Sequence, residues 1–388
     1  MVRHVVANTL TLMIVALVGV AIIISAGKRQ FTGPGPLTQA VCFRVDPGAS
    51  LRVVSRGLAE QGVIKSEQVF RVGAQYSERA GQLRFGSYLI PEAASMDDIL
   101  DILTRGGAST CGSEIHYRIG VTRIDTLVRE LDPATQRFET VVQFAADEEA
   151  PEDYASFASQ SDMQYRITVA EGATSWQIWE GVRLAEFLEG DPGELPPEGM
   201  LAPDSYAVTR GADRETLLAE MQTRQEAILA QLWESRADGL PYDTPQDALI
   251  MASIVEKETG VADERRQVAS VFVNRLRMPM RLQTDPTVIY GITEGRGVLG
   301  RGLRRSELDA VTPYNTYRID GLPPTPIANP GRAAIAAALD PDETSYLYFV
   351  ADGTGGHAFS TNLADHNRAV ARWREIEAEL REQQQPAE

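Results

Sequence analysis

The stretch Thr244-Pro-Gln-Asp-Ala-Leu-Ile-Met-Ala-Ser-Ile-Val-Glu-Lys-Glu-Thr-Gly260 carries its own punctuation. Thr244 stands where a hydroxyl can cap a helix, Pro245 takes the first helical position, where a missing N–H costs nothing, and Gly260 supplies the stop. From Ala248 to Val255 there is no charged residue, so the helix offers water no polar face and has to be buried in a core. A carboxylate at the end of such a helix must be paired, reached by solvent through a cleft, or held at a raised pKa. Glu256 and Glu258 compete for that place. Glu256 follows Ala252 and Ser253 by four and three residues, a small-residue notch where a ligand could reach it, whereas Glu258 follows the bulkier Ile254 and Val255. Pairing of one or both glutamates with Arg265, Arg266 or Arg275 is the structural alternative.

At the other end of the chain, Val5 to Gly27 holds no formal charge and as a helix is long enough to cross a hydrocarbon layer of about 30 Å. It exceeds the roughly 7–15-residue apolar core of a secretion signal, and Ser25-Ala26-Gly27 is a weak cleavage site, so it reads as an uncleaved single-pass anchor. Arg3 and the amino terminus compete with Lys28 and Arg29, so charge barely decides the orientation; residues 1–4 are taken as the cytoplasmic segment. Residues 28–40, with Gly33-Pro34-Gly35-Pro36, read as a stiff, helix-incompatible tether. Cys42 and Cys111 are the only cysteines. They flank one module and form a candidate disulfide if the compartment is oxidising. Neither has a Cys or His at zinc-ligand spacing, and no metal or cofactor is expected.

Two short patterns recur in the same order. Val45-Asp-Pro-Gly48-Ala-Ser50 and Val169-Ala-Glu-Gly172-Ala-Thr174 each read as strand, glycine turn and capped helix, and Ser87-Tyr88 and Ser205-Tyr206 each lead from a strand towards a cap at Ser95 or Asp213. A repeated strand-helix-helix-strand unit follows, with chance similarity of capped helices as its rival. Residues 41–107 form the first unit, 108–165 an insertion or diverged segment whose Asp147–Asp153 stretch is a solvated loop, 166–243 the second unit, 244–375 the core of the C-terminal half, and 376–388 a polar tail. The 388 residues allow two to three domains, and 43% hydrophobic with 23% charged residues is ordinary globular usage. Acidic residues outnumber basic ones by 54 to 37, for a net charge of −17, which opposes binding to nucleic acid. Lysine occurs only at positions 28, 65 and 257, which leaves little room for lysine nucleophiles.

Ala252-Ser-Ile-Val-Glu-Lys-Glu-Thr259, Leu282-Gln-Thr-Asp-Pro-Thr-Val-Ile-Tyr290, Pro313-Tyr-Asn-Thr-Tyr317, Gly321-Leu-Pro-Pro-Thr-Pro-Ile-Ala-Asn-Pro-Gly331 and His357-Ala-Phe-Ser360 together closely resemble the endolytic murein transglycosylases, the YceG-like family, over about residues 41–375. Residues 41–107 also resemble a LysM-like module, which implies binding to N-acetylglucosamine-containing glycans; a structural platform is the other reading. The fold implied is α+β: a membrane-anchor helix, LysM-like βααβ modules and an α+β YceG-like catalytic domain. The resemblance implies a bacterial inner-membrane protein with its bulk in the periplasm. Its partners would be peptidoglycan glycan strands, the lipid bilayer and, as a candidate class, peptidoglycan synthases.

The resemblance maps the catalytic acid/base onto Glu256. Lytic transglycosylation needs one carboxylate, which protonates the leaving oxygen and then accepts the proton of the muramyl 6-hydroxyl as that hydroxyl attacks its own anomeric carbon. A hydrolase would need a second carboxylate. Gln283, Asp285, Tyr314, Asn315, Tyr317, Asn329 and His357 are candidate substrate-binding residues, with Asp285 placed in a turn before Pro286, and turn chemistry is the alternative for several of them. The proline-rich run Leu322–Pro330 suits a rigid groove wall. A non-catalytic peptidoglycan-binding scaffold and a hydrolytic muramidase are the other functional readings. If Val5–Gly27 is an uncleaved anchor, the protein sediments with membranes and a phosphatase fused after Glu388 is active outside the cytoplasm; a soluble form beginning near Lys28 would instead indicate a cleaved signal.

Overall fold

The computed structural model describes residues 2–105, 110–160 and 162–384, the side chains of 2–9 and 381–384 excepted. In chain order its elements begin with α1 (Val2–Thr32), β1 (Val41–Val45), α2 (Leu51–Glu60), α3 (Glu67–Tyr76), β2 (Gly86–Ile90) and α4 (Met96–Thr104). Next come β3 (Ser113–Ile119), β4 (Ile124–Asp132), β5 (Arg137–Ala145), α5 (Glu152–Ala158), β6 (Gln164–Val169), α6 (Ser175–Leu184), β7 (Leu188–Glu189), β8 (Ser205–Val208) and β9 (Ala212–Asp213). The rest is α7 (Arg214–Glu234), α8 (Pro245–Glu258), α9 (Arg265–Arg277), α10 (Asp285–Thr293), α11 (Arg305–Asp309), α12 (Arg332–Leu339), β10 (Tyr348–Ala351), β11 (His357–Ser360) and α13 (Leu363–Gln384). The chain is therefore α+β. It divides into two compact units, one of residues 1–116, 127–144 and 149–165, the other of residues 117–126, 145–148 and 166–388.

In the first unit β1 pairs antiparallel with β2, Phe43 opposite Tyr88, and α2 and α3 lie between them in sequence. Ser50, Ser66 and Ser95 each cap the helix that follows by accepting a backbone N–H three residues on. Leu58, Phe70, Ile90, Ile99 and Leu103 form a fully buried core. The apolar stretch Leu10–Thr32 has a mean hydropathy of 2.6 and is long enough to cross a membrane. The expected tether differs from the sequence reading. The helix runs on through Lys28 to Thr32, Phe31 lies against Gly73, where a Cβ would stand 2.2 Å from its ring, and Gly35 donates its N–H to the Ala93 carbonyl at 3.0 Å. Glycine at 35 lets the backbone come that close, so the segment docks on the unit instead of spacing it away. Cys42 and Cys111 are joined, with Cα atoms 5.7 Å apart across 69 residues.

The recurring patterns fold alike at their ends. Gly48 and Gly172 both take left-handed backbone, at φ of 76° and 78°, ahead of capping Ser50 and Thr174. Tyr88 and Tyr206 are both buried, and each donates its hydroxyl to the carbonyl four residues upstream, Arg84 at 3.3 Å and Ala202 at 2.7 Å. Their middles differ. Between β6 and β8 stands one helix, α6, where two were expected; Pro192, Pro196 and Pro197, with Gly190, Gly193 and Gly199 at positive φ, keep the rest of that connection out of a helix.

The segment 108–165, read from sequence as an insertion or diverged segment, supplies β3, β4 and β5 of a five-stranded sheet in the order β5-β4-β3-β6-β8. Within the second unit, Ile119 accepts the N–H of Ala170 and Tyr117 donates its hydroxyl to the Gly181 carbonyl. The acidic loop ends early, because α5 begins at Glu152, and the expected polar tail is helical to Gln384, residues 385–388 lying outside the described ones. At the centre of this unit, Ala248 to Val255 of α8 are all buried, with Val268, Ala269 and Phe272 of α9 and Ile335, Ala337 and Ala338 of α12 in the same core. Loss of the disulfide in Cys42→Ser/Cys111→Ser lowers the melting temperature of the first unit, since closing a loop of that length is worth up to about 4 kcal/mol in the chain-entropy model. Differential scanning calorimetry with and without reductant checks this.

Candidate active site

Helix α8 starts as the sequence reading expects. Thr244 and Asp247 cap each other's backbone, Pro245 follows, and the helix ends with Thr259 as its C-cap. Its last turn brings Glu256, Lys257 and Glu258 out of the apolar core, and the two glutamates, two residues apart, point to different sides.

On one side, Glu256 is half-buried and its Oε2 accepts the N–H of Gly331 at 2.9 Å. Its other oxygen has no partner among the described residues. The floor is backbone. A Cβ on Gly172 would stand 3.6 Å from the Glu256 Cγ, and Gly172 and Ala173 exchange main-chain hydrogen bonds with Asn329 at 2.9 Å each. Burial pushes the Glu256 carboxyl above the usual carboxylate range; the Gly331 N–H opposes this, the negative charge of Glu171 adds to it, and Arg265 and Lys257 draw it back down. The small-residue notch at Ala252 and Ser253 is not an approach path. Both are fully buried, and the Ser253 hydroxyl accepts the Ile327 N–H at 3.0 Å, so the proline-rich segment fills the notch and walls the site.

On the other side, Glu258 accepts the hydroxyl of Thr284, which is buried with Thr287 and Thr316 in one hydrogen-bonded cluster. Burial pushes its carboxyl up; the Thr284 bond opposes the shift and Asp285 reinforces it. Asp285 does not sit in a turn. It is the first residue of α10, with Pro286 inside the first turn where proline is tolerated, and it accepts the Tyr317 hydroxyl at 2.7 Å. Gln283 is exposed in left-handed backbone, its N–H bound to the Thr316 carbonyl. Among the described residues no arginine pairs with either glutamate. Arg265 faces Glu171 at 3.8 Å, Arg266 holds Asp340 and Asp342, and Arg275 donates to the carbonyls of Leu282 and Leu347.

The other expected contacts divide. Tyr314 is half-buried, 5.0 Å from the Tyr290 ring between centroids, with its hydroxyl on Thr325. Asn315 and Asn329 are fully buried and spent on the protein itself. Asn315 donates to the carbonyls of Glu307, Leu308 and Ala310 and accepts from Tyr317 N–H. Asn329 donates to the Ala173 carbonyl and accepts from Leu201 N–H at 2.8 Å. Neither amide is left for a sugar, because a buried polar group completes its bonds inside the fold. His357 is also committed, its Nδ1 2.7 Å from Glu264 Oε2 and its N–H on Oε1.

Glu198 and Tyr290 join this site without having been anticipated as functional residues. Glu198 accepts Ser175 N–H at 2.8 Å, Tyr290 hydroxyl at 3.1 Å and Asn329 amide at 3.3 Å, and burial pushes its carboxyl up. A glutamate between Pro197 and Gly199 in a loop gives no periodic or spacing signal.

The YceG-like family matches residues 43–372. The chain belongs to that family. A protein of Bacillus subtilis (strain 168) named endolytic murein transglycosylase is 29% identical over 340 residues, covering 86% of this chain and 84% of the relative. A protein of the same name from Streptococcus pneumoniae (strain D39) is 27% identical over 340 residues, and the match spans 58% of its length. The 2.6 Å crystal structure of a protein described as YceG-like from Listeria monocytogenes has a TM-score of 0.45 and 24% identity, covering 85% of this chain and 98% of that one. Asn315→Ala, which strips donors from a buried loop, is expected to cost about 1–3 kcal/mol for unsatisfied groups; urea denaturation of the purified protein measures it.

Proposed function

We propose that this YceG-like protein is a membrane-anchored endolytic lytic transglycosylase that cleaves the bond between N-acetylmuramic acid and N-acetylglucosamine within peptidoglycan strands. The observation that carries the reading is the Glu256 carboxyl. It stands at the outer end of a buried helix, one oxygen held by a backbone N–H and the other without a protein partner among the described residues. The relatives' shared name supports the same activity.

In this reading Glu256 is the general acid. Its raised pKa keeps it protonated further toward neutral pH than an exposed glutamate, so it can protonate the glycosidic oxygen. As carboxylate it then takes the proton of the muramyl 6-hydroxyl as that oxygen bonds to the anomeric carbon, leaving a 1,6-anhydro end and consuming no water. Cutting within strands limits the length of nascent chains. The Tyr290–Tyr314 pair offers ring faces to sugars, and Gln283 and Asp285 are exposed enough to meet hydroxyls. The βααβ arrangement of the first unit serves as a LysM-like glycan-binding module, α1 anchors it in the inner membrane, and the enzyme works in the periplasm beside peptidoglycan synthases.

Hydrolysis is the competing chemistry, and Glu171, the carboxylate whose charge acts on Glu256, is where its second carboxylate would be sought. Mass spectrometry of digested strands separates the two, because hydrolytic products are heavier by one water. Glu256→Gln is expected to fold normally and lose at least about 100-fold in cleavage, the usual contribution of general acid-base catalysis, while Glu258→Gln is much milder. Activity should fall as pH rises through the raised pKa of Glu256, because the acid form is consumed. A Glu256→Gln protein as active as the parent would overturn the assignment.

A further inference from the structure

Glu198 is a half-buried carboxylate that the proposed chemistry leaves unused. Each of its partners belongs to a different segment. Oε1 accepts the N–H of Ser175, the first residue of α6, and the side-chain amide of Asn329; Oε2 accepts the hydroxyl of Tyr290 on α10. The carboxylate, an acceptor only, is met by neutral donors and by no cation within ion-pairing distance among the described residues. The Asn329 amide also donates to the Ala173 carbonyl and the Ser175 hydroxyl, and its oxygen accepts Leu201 N–H. Two residues beyond Asn329 stands Gly331, whose N–H is the donor on Glu256. Along this path each link is a hydrogen bond or the tripeptide backbone Asn329-Pro330-Gly331, in which proline fixes φ.

We propose that Glu198 is a positioning residue: by tying the start of α6, Tyr290 and Asn329 together it holds the 329–331 backbone in place, and with it the N–H that orients the Glu256 carboxyl. The proposal rests on Glu256 being the acid/base. Two consequences follow from the geometry. Glu198 acts through its length and its acceptor oxygens, so an amide of the same length does the same work: Gln Oε1 takes Ser175 and Asn329, and Gln Nε2 donates to the Tyr290 oxygen. A shorter carboxylate keeps the charge and loses the reach. Loss of the Gly331 N–H removes a bond that favours ionised Glu256, so the pH at which Glu256 ionises moves up. The charged or titratable groups acting on Glu256 are Glu171, Arg265 and Lys257, and those beside Glu198 are Tyr290 and Lys257.

The test compares E198Q, E198D and E198A in the full-length protein in detergent, with strand cleavage followed against pH and the melting temperature recorded for each. E198Q is expected to keep most of the parent kcat. E198D and E198A are expected to lose on the order of 10-fold or more in kcat, since a misplacement of about 1 Å can cost about 100-fold, with KM changed less than about twofold and the high-pH limb displaced upward. If E198A does not fold, the E198Q-to-E198D order decides alone. An E198D more active than E198Q, or losses in kcat with the pH limb unmoved, overturns the proposal. E256Q is run alongside: if it is fully active the reading of Glu256 fails, whereas an inactive E256Q with E198D and E198A at parental kcat defeats only the role of Glu198.

Discussion

Burying α8 on every side is the constraint from which the second unit is built. Eight consecutive residues, Ala248 to Val255, are removed from water, and a helix without a polar face needs cover all round. Ala337 and Ala338 of α12 contribute, because small side chains let helix backbones approach closely. The segment at 327–331 closes another face by hydrogen bonds as well as by packing: Ile327 N–H goes to Ser253 and Gly331 N–H to Glu256. Core cover and the wall beside the Glu256 carboxyl are thus the same stretch of chain. A carboxylate that emerges at this seam is half-buried by necessity, and its proton affinity follows from that position.

Three carboxylates, Glu198, Glu256 and Glu258, share the pattern of burial opposed by neutral donors. Each is pushed up by desolvation, and each has a backbone N–H or a hydroxyl against it where a cation would be the stronger stabiliser. The nearby arginines are engaged elsewhere, Arg275 on two main-chain carbonyls and Arg265 on Glu171. A guanidinium paired with Glu256 would favour its ionised form and oppose the upward shift that burial produces. Donors without charge orient the carboxyl and offset its burial less than a cation would.

Much of the local structure was legible in the sequence because it depends on short-range chemistry. Helix α8, from Thr244 to its end before Gly260, follows from capping, proline placement and the apolar run. So do the glycine turns at Gly48 and Gly172 and the caps at Ser50, Thr174, Ser95 and Asp213, each a matter of residues within one turn of each other. The motif order was enough to point to the YceG-like family, to which the chain belongs. Asp285 was misplaced because Asp-Pro reads as turn chemistry, whereas here the pair opens a helix, with Pro286 in its first turn.

What only the tertiary structure decided is where polar side chains spend their hydrogen bonds. Asn315 and Asn329 have the chemistry of sugar ligands, and their type says nothing of the carbonyls that claim them from 5 to 156 residues away. The same holds for the Ser253 notch, filled by Ile327, and for Glu198, whose partners at 175, 290 and 329 meet only when the chain is folded. Sequence alone determined the capped helices and the glycine turns, because caps, turns and apolar runs act over a few residues. Which carboxyl ends with an oxygen free for a ligand was settled by packing, since burial and long-range hydrogen bonds exist only between segments brought together.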